Sequence, residues 1–168
     1  GYRRVKDPCG TFCDPKEWRV DPEKYGFDTR AVHAGSVVDP VTRSRALPIH
    51  QTVAYEFEST QAAADIFALR AFGNIYTRIT NPTTAALEER VRSLHGGVHA
   101  VAVASGHSAE ILAIMNLAEV GDSIVASNSL YGGTWNVFLH TFKRMGIVVR
   151  FADLGDTEAF VAATDETT

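Results

Sequence analysis

The feature that most constrains the fold is an alternation of two kinds of segment in the second half of the chain. Runs rich in small and β-branched apolar residues at 98–104, 123–127 and 147–151 have the composition of buried strands. Helical periodicity lies between them, over about 108–119 and 133–145. Short strands that alternate with helices predict an α/β fold with a parallel sheet and helices on both faces.

Two helices are predicted before this alternation. Ser59 and Thr60 are candidates to cap a helix over 61–72. Asn81 is a candidate N-cap for the next helix, and Pro82 fits its first position. An apolar stripe at helical spacing follows, formed by Leu87, Val91 and Leu94. Gly96 and Gly97 are expected to end the helix after it.

The first 58 residues show no sustained period and contain several Pro and Gly. We expect residues 1–58 to form an N-terminal arm, partly extended or disordered, and residues 59–168 to form the domain. Cys9 and Cys13 have no pair of Cys or His residues at ligand spacing nearby, which favours two free thiols over half a metal site.

Composition and charge argue against several classes of protein. The chain has 45% hydrophobic residues, 21% charged residues and a net charge of -4, which is typical of a globular protein and gives little support to nucleic-acid binding. Charged residues interrupt every apolar run, so no membrane span is predicted. No secretory signal is visible, and we expect a cytoplasmic location. Because the chain starts at Gly1 and ends in a polar run, we expect a fragment of a longer protein.

The turn Ser105-Gly106-His107-Ser108 follows the first predicted strand. Gly106 allows close approach of the backbone to a ligand, and the amides of Gly106 and His107 open onto the next helix, where an anion can bind. A tight turn without a ligand is the alternative, since neither G-x-G-x-x-G nor a Walker A pattern is present. For His107, a contact through the backbone is favoured over a role as a catalytic base.

A second turn, Tyr131-Gly132-Gly133-Thr134, follows the second predicted strand. Ligands of parallel sheets bind at the carboxyl ends of the strands, where both turns fall. The phenol ring of Tyr131 can lie flat on an aromatic ligand, and a core tyrosine is the alternative.

Tyr76 and Arg78 stand two residues apart, so in extended backbone both side chains point the same way. The guanidinium fork and the phenol can then bind one phosphate, whereas the alternative is a surface arginine and a half-buried tyrosine. Because this segment lies outside the strand-helix alternation, it can reach the site of a partner subunit. Phosphate and flat ring together indicate an aromatic phosphorylated cofactor.

With these motifs in order, the chain resembles the Cys/Met-metabolism family of pyridoxal-phosphate (PLP) enzymes, which have the aspartate-aminotransferase-like fold (PLP fold type I). Within that family, residues 67–79 are most similar to O-acetylhomoserine sulfhydrylases. The matching segments are AVHAG at 31–35, PIHQT at 48–52, YTR at 76–78, NPT at 81–83, SG at 105–106, YGGT at 131–134 and GI at 146–147.

The resemblance implies a role for each candidate residue. Tyr76 and Arg78 would contact the cofactor phosphate of a neighbouring subunit, in a homo-oligomer that is a dimer at least and a tetramer by expectation. The turn at Ser105, with the amides of Gly106 and His107, would bind the phosphate of its own subunit. Tyr131 would stack on the pyridine ring and assist at the substrate amine. His107 stands where the family usually has Met or Gln.

The resemblance also implies a reaction, in which sulfide or methanethiol replaces the acetate of O-acetyl-homoserine and gives homocysteine or methionine. The family's Schiff-base lysine lies in a Ser-x-Thr-Lys setting that none of the four lysines of this chain has. We therefore expect the N-terminal part of such an enzyme, inactive alone. Three alternatives stay open: a cystathionine γ-synthase or methionine γ-lyase, a non-catalytic fragment that assembles with partner subunits, and a nucleotide-binding α/β domain.

Overall fold

The computed structural model of the chain describes residues 24–39 and 41–168. The chain divides into two compact units, Gly1–Ala102 and Val103–Thr168. Cys9, Cys13 and most of the predicted extended leader lie outside the described residues. The predicted domain boundary at residue 58 stays a prediction.

The first unit contains three helices, α1 (Phe27–His33), α2 (Thr60–Phe67) and α3 (Pro82–His95). The bounds of α3 agree with the prediction, since the Asn81 side chain caps its first turn and Gly96 ends it in the left-handed region at φ 68°. Helix α1 lies in a stretch that was predicted to be irregular, and that prediction is wrong for these residues.

Ser59 caps helix α2, as predicted, but the helix ends at Phe67 instead of residue 72. The chain leaves the helix because Leu69 adopts a left-handed conformation with φ 55°. The amides of Arg70 and Ala71 then both donate to the carbonyl of Asp65, at 2.8 and 3.2 Å, and close the end of the helix.

Helices α1 and α3 pack through small residues. Ala34 and Ala86 are buried, and Gly35 (φ 75°) lies so close to α3 that a Cβ at this position would collide with the carbonyl of Ala86. The guanidinium of Arg90 donates from Nε to the carbonyl of Ala34 at 2.9 Å. On the same helix pair, Arg30 donates to the carbonyl of Ser93. The AVHAG motif therefore serves a close helix contact.

The second unit alternates helices and strands, as predicted. Strands β1 and β2 are parallel, with Ser123 paired to Val148 and Ser127 paired to Ala152. Helix α5 continues directly into a π-helical turn, and the two together occupy most of the helix predicted over 133–145. The elements are α4 (Gly106–Met115), β1 (Ser123–Ser127), α5 (Gly132–Asn136), the π-helical turn (Val137–Phe142), β2 (Val148–Ala152) and α6 (Thr157–Ala162).

The core of the second unit lies between the π-helical turn and the sheet. It consists of Ala126, Phe138, Phe142 and Ile147, and the two phenylalanine rings stack with centroids 5.2 Å apart. Beside them, the ring of Trp135 lies 4.1 Å from that of Phe151 on β2. This packing fixes the start of α5, and with it the turn at residues 131–134, against the sheet.

The prediction of a buried strand at 98–104 is wrong for this structure. In the described part of the chain, the sheet has two strands that pair with each other, and the segment 98–104 is not one of them. Val98 is 91% exposed and Val101 is 72% exposed. The composition of a buried strand is present, but a strand forms only where a neighbouring strand accepts and donates its backbone hydrogen bonds.

An ion pair joins Arg150 of β2 to Asp165. Arg150 lies 2.5 Å from a carboxylate oxygen of Asp165. The hydrogen bond from Arg150, followed by that from the Thr167 side chain, lowers the pKa of Asp165 below its usual value. None of the helices within 24–39 and 41–168 is long and apolar enough to cross a lipid bilayer.

Candidate functional site

The amino end of α4 offers backbone donors to a ligand. Ser105 caps this helix, since its hydroxyl accepts from the amide of Ser108 at 3.1 Å and pairs with the Ser108 hydroxyl at 2.9 Å. The amides of Gly106 and His107 precede that bond and have no acceptor within the helix. A Cβ at Gly106 would meet no atom within 4 Å, so the space beside these amides is open. The helix dipole adds positive potential there.

Tyr131 lies next to this helix end. It is the residue that precedes α5, and its side chain is 76% exposed. The rings of His107 and Tyr131 have centroids 5.8 Å apart, with an angle of 38° between their planes. The structure therefore brings together Ser105, Gly106, His107 and Tyr131, which the sequence places in two separate turns.

Gly133 provides the space that these two rings occupy. A Cβ at Gly133 would lie 2.5 Å from Nε2 of His107 and 2.8 Å from Cε1 of Tyr131. Nε2 of His107 is buried and has no hydrogen-bond partner among the described residues. The imidazole is thus packed between α4 and the turn before α5, although sequence reasoning left the direction of this side chain open.

A polar contact that sequence reasoning missed holds α4 and α5 together. The hydroxyl of Thr134, which is 6% exposed, lies 3.0 Å from each carboxylate oxygen of Glu110. The signal in the sequence is Glu110 itself, the one carboxylate of helix α4. This contact ties the start of α5, which follows Tyr131, to α4, which carries the donor amides.

Tyr76 and Arg78 lie in the first unit, where the backbone differs from the prediction. Tyr76 forms an antiparallel bridge with Ala54, so it is extended as expected. From Tyr76 onward the chain turns, because its carbonyl accepts from the amides of Ile79 and Thr80 at 2.8 and 3.0 Å. The prediction of extended backbone through Arg78 is therefore wrong.

The two side chains nevertheless lie together. The guanidinium carbon of Arg78 is 5.4 Å from the centroid of the Tyr76 ring, within the range of a cation–π contact. Both side chains are exposed. The turn thus exposes a guanidinium and a phenol side by side.

These residues fit pyridoxal phosphate. The open helix end in the second unit supplies amide donors and positive potential for a phosphate, and the exposed ring of Tyr131 next to it supplies a flat face for a pyridine. In the first unit, the guanidinium of Arg78 has the planar fork that matches a phosphate. These are the two kinds of group that a flat, anionic cofactor requires.

Comparisons with known proteins agree with this chemistry. The family model of the Cys/Met metabolism PLP-dependent enzymes matches residues 28–168. The chain is 52% identical over 147 residues to the O-acetyl-L-homoserine sulfhydrylase of Leptospira meyeri, covering 88% of this chain and 33% of that protein. It is 51% identical over 143 residues to O-acetyl-L-homoserine sulfhydrylase 1 of Thermus thermophilus, covering 84% of this chain and 34% of that protein. The chain thus spans about a third of the length of these curated relatives.

A solved structure from Campylobacter jejuni has the same fold with a TM-score of 0.79 and 39% identity, covering 86% of this chain and 35% of that one. It is described as an O-acetylhomoserine (thiol)-lyase that carries a pyridoxyl-lysine phosphate. The predicted fold class is confirmed by this likeness, and the nucleotide-binding alternative has no support. By its family match, its relatives and its geometry, the chain belongs to the family of Cys/Met metabolism PLP-dependent enzymes.

Proposed function

We propose that the intact protein is an O-acetylhomoserine sulfhydrylase, which replaces the acetate of O-acetyl-homoserine by sulfide or methanethiol. The observation that carries this proposal is the position of the Tyr131 ring beside His107 at the amino end of α4, with 5.8 Å between ring centroids. The choice of reaction is supported by relatives at 52% and 51% identity that are both named sulfhydrylases.

Within one subunit, the proposed cofactor contacts come from the two turns of the second unit, at residues 105–108 and 131–134. The amides of Gly106 and His107 bind the phosphate, and Ser105 keeps them in place by capping α4. The exposed ring of Tyr131 would stack on the pyridine ring of a bound cofactor and shield that face from water, and its hydroxyl would hold or release a proton near the substrate amine. When bound, the cofactor supplies an electron sink that makes the protons next to the substrate amine acidic.

Tyr76 and Arg78 act on the phosphate of a neighbouring subunit in this proposal. The exposed guanidinium and phenol of the turn support it, since they lie side by side and face outward. A homo-oligomer, at least a dimer and in our proposal a tetramer, then follows, because each site needs a second copy of the turn. A cytoplasmic location belongs to the same proposal, since the substrates are small metabolites.

The reaction is tested on the full-length parent protein. We expect an absorbance band of bound PLP in the visible range, and formation of homocysteine from O-acetyl-homoserine and sulfide. Parallel assays with cysteine as the thiol, and with methionine as the substrate, separate the synthase and lyase reactions of the same family. A parent protein without the visible band, or with the band but a preference for cysteine or methionine, would refute the proposed activity.

Replacing Gly133 by alanine should weaken cofactor binding. The new methyl group would overlap the imidazole of His107 and the phenol of Tyr131, and both rings would have to move. Overpacking of this kind costs about 1–3 kcal/mol, which corresponds to a rise of about 5- to 150-fold in the PLP dissociation constant where binding requires the original ring positions. Titration of the apoprotein with PLP, followed by absorbance, measures this rise.

The matched control is the neighbouring Gly132→Ala, since a Cβ at Gly132 meets no atom within 4 Å. A second variant, His107→Ala combined with Gly133→Ala, should recover part of the lost affinity because it removes one of the two overlaps. Equal effects of the two glycine substitutions would contradict the packing of the rings against Gly133.

A further inference from the structure

A buried asparagine, Asn81, hydrogen-bonds to the Tyr76–Arg78 turn through Thr77. Asn81 is 5% exposed. Its side-chain amide donates to the carbonyl of His50 at 3.0 Å and to the hydroxyl of Thr77 at 3.1 Å. Its side-chain oxygen accepts from the amide of Thr83 at 2.9 Å. Both N–H donors and the acceptor oxygen of this side chain therefore have partners.

The same contacts fasten the segment 48–55 to the turn. The amide of His50 donates to the hydroxyl of Thr83 at 2.9 Å, and that hydroxyl lies 3.3 Å from the carbonyl of Pro48. The hydroxyl of Thr77 donates to the carbonyl of Thr52. We call Asn81, Thr77 and Thr83, with the carbonyls that they bind, the clasp. It joins the PIHQT and NPT motifs, neither of which the proposed cofactor contacts use.

The chemistry of the clasp requires an asparagine. A helix N-cap needs only an acceptor, which Asp, Ser or Thr supplies as well as Asn. Asn81 also donates twice, to atoms 31 and 4 residues away along the chain. Of the good N-cap side chains, only that of Asn combines an acceptor with two donors. The residue therefore does more than begin α3.

Thr77 lies between the two residues of the proposed phosphate contact, so whatever fixes Thr77 fixes both neighbours. Its amide donates to the carbonyl of Val53 at 2.9 Å, and its hydroxyl is part of the clasp. These contacts of Thr77 restrain the backbone of the turn, and with it the points from which the side chains of Tyr76 and Arg78 leave the chain. The guanidinium of Arg78 lies beside the Tyr76 ring in this arrangement, so less ordering remains for a ligand to impose.

We propose that Asn81 is a positioning residue for the cofactor, which acts through Thr77 on Tyr76 and Arg78 and sets the direction in which the turn presents them to the phosphate. This inference rests on the proposed function, in which the turn binds the phosphate of a neighbouring subunit. In this inference Asn81 does not touch PLP, but it lowers the PLP dissociation constant by orienting the two residues that do.

The test uses the intact protein and the variant Asn81→Asp. Aspartate keeps the size of the side chain and the acceptor that caps α3, but it replaces the donating amide by an oxygen that faces the His50 carbonyl. We expect unchanged helix content by circular dichroism and a rise of about tenfold in the PLP dissociation constant. The isosteric Thr77→Val is the second variant, since it removes the hydroxyl that accepts from Asn81 and leaves the cap intact.

A double-mutant cycle with Arg78→Ala separates positioning from general stability. If Asn81 acts through the turn, Asn81→Asp should change PLP affinity much less in the Arg78→Ala background than in the parent. An equal loss in both backgrounds, or parental affinity in both Asn81→Asp and Thr77→Val, would overturn the inference. If Asn81→Asp fails to fold, Thr77→Val alone decides by the same cycle. A parent protein that binds no PLP would refute the proposed function instead.

Discussion

Gly35→Ala is expected to lower the free energy of unfolding of the first unit by roughly 2 to 5 kcal/mol, from about 1–2 for a left-handed conformation and about 1–3 for overpacking. Gly35 has a φ of 75°, which side chains with a Cβ rarely adopt. Its Cβ would also collide with the carbonyl of Ala86, which belongs to the backbone of α3 and cannot rotate away. Urea unfolding of the intact protein, with limited proteolysis near residues 34–36, measures the loss.

Gly96→Ala is the matched control for this prediction. Gly96 has a similar φ of 68°, but a Cβ there meets no atom within 4 Å. The free energy of unfolding should therefore fall only by the cost of the left-handed conformation, about 1–2 kcal/mol, in this variant. If both variants unfolded at the same urea concentration, the collision with Ala86 would add nothing to the loss at Gly35. The close packing of α1 on α3 would then not be the reason that position 35 requires glycine.

Arg78→Ala is expected to raise the PLP dissociation constant of the intact protein about 10- to 100-fold. Hydrogen bonds to a charged group contribute about 1.5–3 kcal/mol, and the guanidinium of Arg78 is exposed and free to bind in bidentate fashion. Equilibrium dialysis against PLP, with absorbance as the readout, measures the change.

Two other arginine variants give this prediction its controls. Arg78→Lys keeps the charge but loses the planar fork, so its dissociation constant should lie between those of the parent and Arg78→Ala. Arg70→Ala removes an exposed arginine of the same unit, whose ion pair with Asp65 lies at the surface, and it should leave PLP binding unchanged. Parental affinity in Arg78→Ala would remove this residue from the phosphate site.

Elements with local signals could be predicted from the sequence. The start and end of α3 follow from Asn81, Pro82 and Gly96, each of which acts on the backbone within one turn. The two parallel strands follow from short apolar runs between turns. Their alternation with helices was sufficient for the fold class, which the solved relative confirms.

Elements that depend on distant partners could not be predicted. Helix α1 is stabilised by contacts such as that of Arg30 with Ser93, which is 63 residues away, and its own sequence shows no periodicity. The apolar run at 98–104 has the composition of a strand but lacks a neighbouring strand in the described part of the chain. An apolar composition alone therefore ensures neither burial nor a strand, since strand formation depends on pairing.

The candidate site likewise has residues that local sequence patterns predict and contacts that they do not. Its motif residues, such as Gly106 and Tyr131, follow from turn chemistry, and the structure places them at one end of the second unit. The contacts that hold the motifs in place join groups far apart in sequence: Glu110 and Thr134 are 24 positions apart, and His50 and Asn81 are 31 positions apart. No local pattern shows such pairs.

The bond between Glu110 and Thr134 has a consequence for how the site can adjust. Since it ties the second turn of α4 to the first turn of α5, a shift of one helix carries the other with it. Tyr131 can then follow a tilting ligand ring only by torsion about its own χ1 and χ2, and the exposed phenol has room for such rotation. In the proposed function, the Tyr131 ring would therefore adjust to the cofactor by rotation while the amides of Gly106 and His107 stay in place.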